Sequence, residues 1–238
     1  MKRFLVVLAL AALLTVPALA GDPPAPKAPA EQPSVHDTLY ALGAEIGKSI
    51  EWFDLTPDEA KIVAEGMIDA TQGKAKLDSE PLRPAIQKLQ EERRARYAQK
   101  QKDAGKAYID KFVAEGATRL ENGAAIKTIQ AGEGESPTEN DSVTVHYTGT
   151  LIDGTKFDSS RDRGQPATFP LARIIPCWKE GLQKMKVGER AKLVCPSDTA
   201  YGDNGRPPVI KPGATLVFDV ELLGIEKPKV DNQGVEKK

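Results

Sequence analysis

The hydrophobic pattern changes period once, near Ala124, and that change constrains the fold more than any other feature of the chain. Before it, apolar residues recur at steps of three and four, as on one face of a helix. After it they alternate among β-branched residues, as on a pleated strand. A chain of 238 residues built this way is an α+β protein, a helical part followed by a sheet part, and not a series of βαβ units.

In the first part, Leu39, Leu42, Ile46, Ile50 and Phe53 predict a helix over 37–53. Gly43 and Gly47 stand four apart beside that stripe, either as a seat for another helix or as incidental glycines in a weak one. Thr56-Pro57-Asp58-Glu59 is a helix start in which Thr56 and Glu59 can form a capping box around Pro57. Ile62, Val63, Met67 and Ile68 carry that second helix, and Gly73 can end it. A third segment, from about Leu82 to Leu120, is polar on nearly every side until Tyr108, Ile109, Phe112 and Val113, with Gly105 as a weak point. Such a helix bridges parts through solvent or packs only at its ends. None of the three has enough apolar residues for a core of its own, which predicts that two chains entwine as a homodimer.

In the second part, Ala125–Ile129, Ser142–Thr150, Arg190–Cys195 and Thr215–Leu223 read as strands. Asp153-Gly154 marks a hairpin turn and Pro176–Met185 one short helix, so an antiparallel sheet with one helix across it is expected.

Both ends look different. Lys2 and Arg3, an apolar run from Phe4 to Val16, and Ala18 and Ala20 have the order of a secretory signal over 1–20. The run is short of the roughly 20 residues that a bilayer span needs, so a cleaved signal is expected, with an uncleaved membrane anchor as the alternative. This predicts export to the periplasm of a Gram-negative bacterium, with outer-membrane association or secretion as alternatives. Five prolines between Gly21 and Pro33 make residues 21–34 a disordered leader, and 228–238 read as a polar tail.

Composition excludes several function classes. Lys plus Arg is 33 and Asp plus Glu is 34, so the whole molecule exerts no net pull on nucleic acid or anionic lipid. Two cysteines and two histidines cannot make a four-cysteine zinc site or a three-histidine metal centre, so no metal or cofactor is expected. His146 stands mid-strand on the face opposite Val145 and Tyr147, and His36 stands in the leader, which leaves no nucleophile–histidine pair. Gly132-Glu133-Gly134-Glu135 is acidic and opens no helix, so it is not a phosphate loop.

What remains is a set of aromatics in the second part: Tyr147, Phe157, Phe169, Trp178, Tyr201 and Phe218. They lie in familiar runs. Val143-Thr144-Val145-His146-Tyr147-Thr148-Gly149, Gly154-Thr155-Lys156-Phe157-Asp158-Ser159-Ser160, Ile174-Ile175-Pro176-Cys177-Trp178, Ala200-Tyr201-Gly202 and Leu216-Val217-Phe218-Asp219-Val220 keep one order and spacing. Together they resemble the FK506-binding protein (FKBP) family of peptidyl-prolyl cis-trans isomerases, over about 124–226. More loosely, Leu42-Gly43, Ile46-Gly47-Lys48 and Glu65-Gly66-Met67-Ile68-Asp69-Ala70 are similar to the dimerisation region of periplasmic members of the macrophage infectivity potentiator and FkpA type.

The resemblance implies a helical dimerisation domain over 35–81, a long connecting helix over 82–121, and an isomerase domain over 122–227. The last is an antiparallel half-barrel sheet wrapped around the short helix. It implies a pocket with Trp178 as its floor, Tyr147, Phe157, Phe169, Ile175 and Phe218 as walls, and Asp158 and Tyr201 at the rim. Asp158, Tyr201, Phe157 and Trp178 would then be catalytic. Tyr147, Phe169, Ile174, Ile175, Arg163, Val209, Ile210 and Phe218 would bind substrate. The implied partners are unfolded proline-containing proteins, a second copy of the chain and a macrolide inhibitor of the FK506 kind. A dimeric holdase chaperone with secondary isomerase activity is the alternative function.

Three residues depart from the family pattern. Ala167 replaces a further wall aromatic, which opens the wall. Arg206 stands at the tip of the loop after Tyr201, where it would bear on the residue preceding proline. Cys177 replaces a glycine, and with Cys195 late in the following strand it predicts a Cys177–Cys195 disulfide, the alternative being two buried thiols.

Overall fold

The computed structural model describes residues 32–228, so the signal segment, most of the leader and the tail from 229 lie outside the described residues. The chain divides into two units, Met1–Leu42 and Gly43–Lys238. In the first, the described residues are 32–42. They open helix α1 (Val35–Ser49), which takes in His36, and they leave Leu39 and Leu42 exposed.

In the second unit α1 ends earlier than its periodicity predicts. Ile50 leaves helical space at φ −110°, ψ 8°, and Glu51–Phe53 forms a separate 3-10 turn. Helix α2 (Pro57–Thr71) starts on the expected capping box: Glu59 N–H donates to Thr56 Oγ1 at 3.3 Å, and Thr56 N–H donates to the Glu59 carboxylate at 2.8 Å. Neither α1 nor α2 buries a residue, and Ile46, Ile62, Val63, Met67 and Ile68 are exposed. Among the described residues, nothing lies within 4 Å of a Cβ added at Gly43 or Gly47.

Helix α3 (Arg83–Ala114) receives the 3-10 turn on its N-terminal half and is tied to α2 by an ion pair. Arg94 lies over the Trp52 ring at 5.3 Å. Arg93 donates to the carbonyls of Phe53 and Asp54 and pairs with Glu59. The Thr56 amide and Arg93 together hold the Glu59 carboxyl down at about 2, against an ordinary 4.5. A depressed carboxylate stabilises the fold above its unfolded pKa and loses that contribution as pH falls through the folded one. The α2–α3 junction is therefore expected to weaken between pH 4.5 and about 2. Thermal unfolding at pH 6 and pH 3 tests this: Glu59→Gln should flatten the acid loss, and parallel curves for the two proteins would refute it.

Among the described residues seven antiparallel strands follow: β1 (Thr118–Arg119), β2 (Ala125–Gln130), β3 (Ser142–Leu151), β4 (Lys156–Ser159), β5 (Ala167–Pro170), β6 (Arg190–Cys195) and β7 (Leu216–Glu226). They run in the order β1-β2-β6-β7-β3-β4, with β5 also paired to β3. Strand β3 turns into β4 at Asp153-Gly154, as expected, where Gly154 N–H donates to Leu151 O at 3.0 Å. Helix α4 (Pro176–Gln183) buries Cys177, Trp178, Gly181 and Leu182 against one sheet face. Val143, Val145, Leu193, Leu216 and Val220 complete that core.

The other face is also covered. Alternate residues of the same strands, Ala125 of β2, Val194 of β6 and Val217 of β7, form a second cluster with Ile109 and Phe112 of α3. Because side chains alternate across a strand, this cluster lies opposite the α4 core. The second half of α3 is thus a layer of the sheet domain as well as a connector, giving the order α4, sheet, α3. Gly105, read from sequence as a weak point, is buried within an unbroken helix. Among the described residues no helix is long and apolar enough to cross a membrane.

Candidate functional site

A cleft of about 580 Å³ opens among β3, β4, β5, β7, the N-terminal end of α4 and the loop after β6. Strand alternation aims Tyr147 of β3 and Phe218 of β7 inward beside the α4 core. Trp178 follows Pro176 and Cys177 in the first turn of α4, where the fixed φ of Pro176 suits a helix start. Cys177 and Cys195 are bonded, with Cα atoms 5.6 Å apart, so the disulfide expected from sequence ties that turn to the end of β6.

The aromatics meet edge to face around the indole. Trp178 is 5.2 Å from Tyr147 and 5.7 Å from Phe169, near-perpendicular to both, and 5.0 Å from Phe218. Phe157 stands at 89° to Phe218 at 5.6 Å. Such packing lets the positive ring edge meet the negative ring face and leaves a dry apolar floor. The indole Nε1 is buried without a hydrogen-bond partner among the described residues.

Polar groups gather on one side of the cleft. Asp158 of β4 accepts from the Tyr147 hydroxyl and pairs with Arg163. Arg163 also donates to the Tyr147 hydroxyl at 3.1 Å and lies over its ring at 5.7 Å. Burial pushes the Asp158 carboxyl up, but Tyr147 and Arg163 outweigh it, and the net direction is below 3.8. Burial, then Asp158, push the Tyr147 phenol above 10.0. The trio therefore keeps one charge state across neutral pH: carboxylate, neutral phenol, guanidinium.

Tyr201 stands where two short turns meet, with the Arg206 guanidinium over its ring at 5.8 Å. Residues 206–210 form a closed loop, in which Arg206 N–H donates to Ile210 O at 2.7 Å and Ile210 N–H returns to Arg206 O at 3.1 Å. Ile175 caps α4 in extended backbone, and its N–H has no acceptor among the described residues.

Eleven of the residues expected at the site line this one cleft: Tyr147, Phe157, Asp158, Phe169, Ile174, Ile175, Trp178, Tyr201, Val209, Ile210 and Phe218. Arg163 does not line it and instead backs Asp158 and Tyr147. Ala167 pairs with Val145 in the sheet and adds nothing to the lining. Arg206, noted only as a departure, does line it, as do Arg173, Pro207 and Pro208, which sequence reasoning missed. Their signal was adjacency: Arg173 precedes Ile174-Ile175, and the two prolines precede Val209-Ile210. Among the described residues no group of three or more His, Cys, Asp or Glu can hold a metal.

Comparison with known proteins agrees with this geometry. Residues 133–223 match the family model described as FKBP-type peptidyl-prolyl cis-trans isomerase. Residues 36–125 match the domain amino terminal to FKBP-type peptidyl-prolyl isomerase. The chain is similar to the FKBP-type peptidyl-prolyl cis-trans isomerase FkpA of Escherichia coli K12, 40% identical over 82% of this chain and 77% of that one. It is similar to the outer membrane protein MIP of Legionella longbeachae, 36% identical over 79% and 84%. The crystal structure of Escherichia coli FkpA matches with a TM-score of 0.58 and 37% identity, over 80% of this chain and 96% of that one. With both family models matched in order on a helical region and an antiparallel sheet, the chain belongs to the FKBP-type peptidyl-prolyl cis-trans isomerases and is an enzyme that interconverts the cis and trans forms of X-Pro bonds.

Proposed function

We propose that the X-Pro bond turns in the aromatic cleft without covalent chemistry. Amide resonance sets a barrier of about 18–20 kcal/mol, and the uncatalysed change takes tens to hundreds of seconds. The twisted state has lost that resonance and much of its carbonyl dipole, so a dry apolar site suits it better than the planar ground state. A floor of Trp178 with Tyr147, Phe169 and Phe218 around it can hold the proline ring and favour the twisted form differentially. The Tyr201 hydroxyl and the free Ile175 N–H are the donors for the substrate's carbonyl oxygens. Asp158 stays ionised and holds the Tyr147 hydroxyl, a structural duty and not proton transfer.

The observation that carries this reading is the aromatic cleft whose one carboxylate is already committed to Tyr147 and Arg163. It follows that kcat/KM stays flat between about pH 5 and 9, since Asp158 is held down and Tyr147 up. Asp158→Ala is expected to lower kcat/KM about tenfold, the cost of one charge-assisted hydrogen bond. Tyr201→Phe should lower it by a comparable factor, with both variants folded. A proline-limited refolding assay checks both, and full activity in both would remove the site assignment.

The clients proposed are unfolded exported proteins containing proline, met after a secretory signal over 1–20 delivers the chain to the periplasm. A macrolide of the FK506 kind would compete for the cleft. The exposed stripe Ile46, Ile62, Val63, Met67 and Ile68 supports a homodimer through α1 and α2, because apolar faces of this kind need cover. Sedimentation of the full chain should give a dimer, and removal of residues 1–81 a monomer; a dimer from the shorter chain would reject that interface. The same stripe supports the second reading, a dimeric holdase that cradles clients. Suppression of client aggregation by a Trp178→Ala variant lacking isomerase activity would favour it, and loss of both activities together would count against it.

A further inference from the structure

Tyr201 joins two short turns, Ser197–Thr199 and Gly202–Asn204. Each turn carries one carboxylate, Asp198 and Asp203, and both reach the same cation. Lys102 Nζ of α3 is 2.8 Å from Asp198 and 2.7 Å from Asp203. The lysine side chain is 27% exposed, against 71% and 60% for the two aspartates, so the lysine is the anchored partner.

Backbone seats lie on either side of that bridge. Gly105 of α3 approaches Thr215 so closely that an added Cβ would stand 1.9 Å from Thr215 Oγ1. Gly213, at φ +74°, rests on α3 where a Cβ would stand 2.3 Å from the Ala98 carbonyl oxygen. Arg94 donates to Asn204 Oδ1 at 3.3 Å. Helix α3 therefore grips residues 198–215 at Asp198, Asp203, Asn204, Gly213 and Thr215. That same segment supplies Tyr201 and residues 206–210 to the cleft wall.

We propose that Lys102 is a positioning residue for the isomerase reaction: by bridging Asp198 and Asp203 it holds the two turns that flank Tyr201 and so sets where the Tyr201 hydroxyl stands at the rim. The inference rests on the reading of Tyr201 as a donor to substrate. It makes the helical arm part of the support of the active site. Partly exposed ion pairs add little to folding stability. Placement of a catalytic group is far more sensitive, since a shift of about 1 Å can cost up to about a hundredfold in rate. Loss of Lys102 should thus separate activity from stability.

The test uses the full chain and a short proline peptide. Lys102→Ala is expected to lower kcat/KM by about threefold to tenfold, through kcat more than KM, with an unchanged melting temperature. Lys102→Arg, which keeps the charge and the donors, should restore most of it. Asp198→Asn combined with Asp203→Asn should reproduce the loss. In a Tyr201→Phe background, Lys102→Ala should have no further effect, because it acts through that hydroxyl. Multiplying effects of Lys102→Ala and Tyr201→Phe, or a fall in melting temperature that accounts for the loss, would overturn the proposal. A loss from Tyr201→Phe with none from Lys102→Ala would overturn the proposal alone. A silent Tyr201→Phe would remove the Tyr201 reading and the proposal with it.

Discussion

Replacing Phe112 by alanine is expected to cost about 3–5 kcal/mol of folding stability, the range for deleting a buried aromatic side chain. Phe112 is 7% exposed and Ile109 is 2% exposed, and both lie on Ala125, Val194 and Val217 of the sheet. The space that Phe112 leaves is bounded by three strands and a long helix docked at several other points, so it cannot readily collapse. Urea unfolding should show a lower midpoint with an unchanged slope. A cost of only about 0.5 kcal/mol, the level of an ordinary surface substitution, would show that α3 is only a spacer. The same packing bears on dissection of the chain. A fragment that begins at Glu121 loses both Ile109 and Phe112 and should be less stable than one that begins at Arg93.

Removing the disulfide by Cys177→Ala with Cys195→Ala is expected to cost about 3 kcal/mol, the loop-closure value for bridged residues 18 apart in sequence. Both cysteines are fully buried in the α4 core. One precedes Trp178 directly and the other stands six residues before Tyr201, so the bond ties the floor of the cleft to the strand that leads to its rim. Thermal unfolding with and without reductant measures the effect. Labelling of both thiols in the unreduced protein, or identical melting in the two conditions, would contradict it.

Much of this architecture was legible because local chemistry and global pattern agree. The Thr56–Glu59 capping box, the alternation from Val143 to Tyr147 and the Asp153-Gly154 turn are each decided within a few residues. The pairing of Cys177 with Cys195 needed only the placement of one helix start and one strand end. The docking of α3 was harder to read, because its buried positions, Tyr97, Ala98, Gly105, Ile109 and Phe112, include two small residues and stand among charged and amide side chains, so no apolar stripe runs along the helix. The evidence for it lay instead in the strands. Leu193-Val194-Cys195 and Leu216-Val217-Phe218 are unbroken apolar runs, the mark of strands covered on both faces. Gly105 looked like a weak point because a sequence shows a missing side chain without showing Thr215 on the far side of the gap. At the cleft, wall residues on strands and helix were readable by motif. Arg173 ends a single 3-10 turn, Leu171–Arg173, and Pro207 and Pro208 sit on a loop, and neither is long enough for a periodicity to indicate which way a side chain points.

Isomerisation in the Trp178 cleft, as proposed, is open to direct measurement. The most direct measurement is the rate of cis-to-trans change of a short proline peptide with the full chain, alone and with a macrolide of the FK506 kind. Catalysis that the macrolide abolishes competitively is the expected result. Catalysis unaffected by the macrolide bound at saturation, or a folded protein that binds it without catalysing, would contradict isomerisation in this cleft.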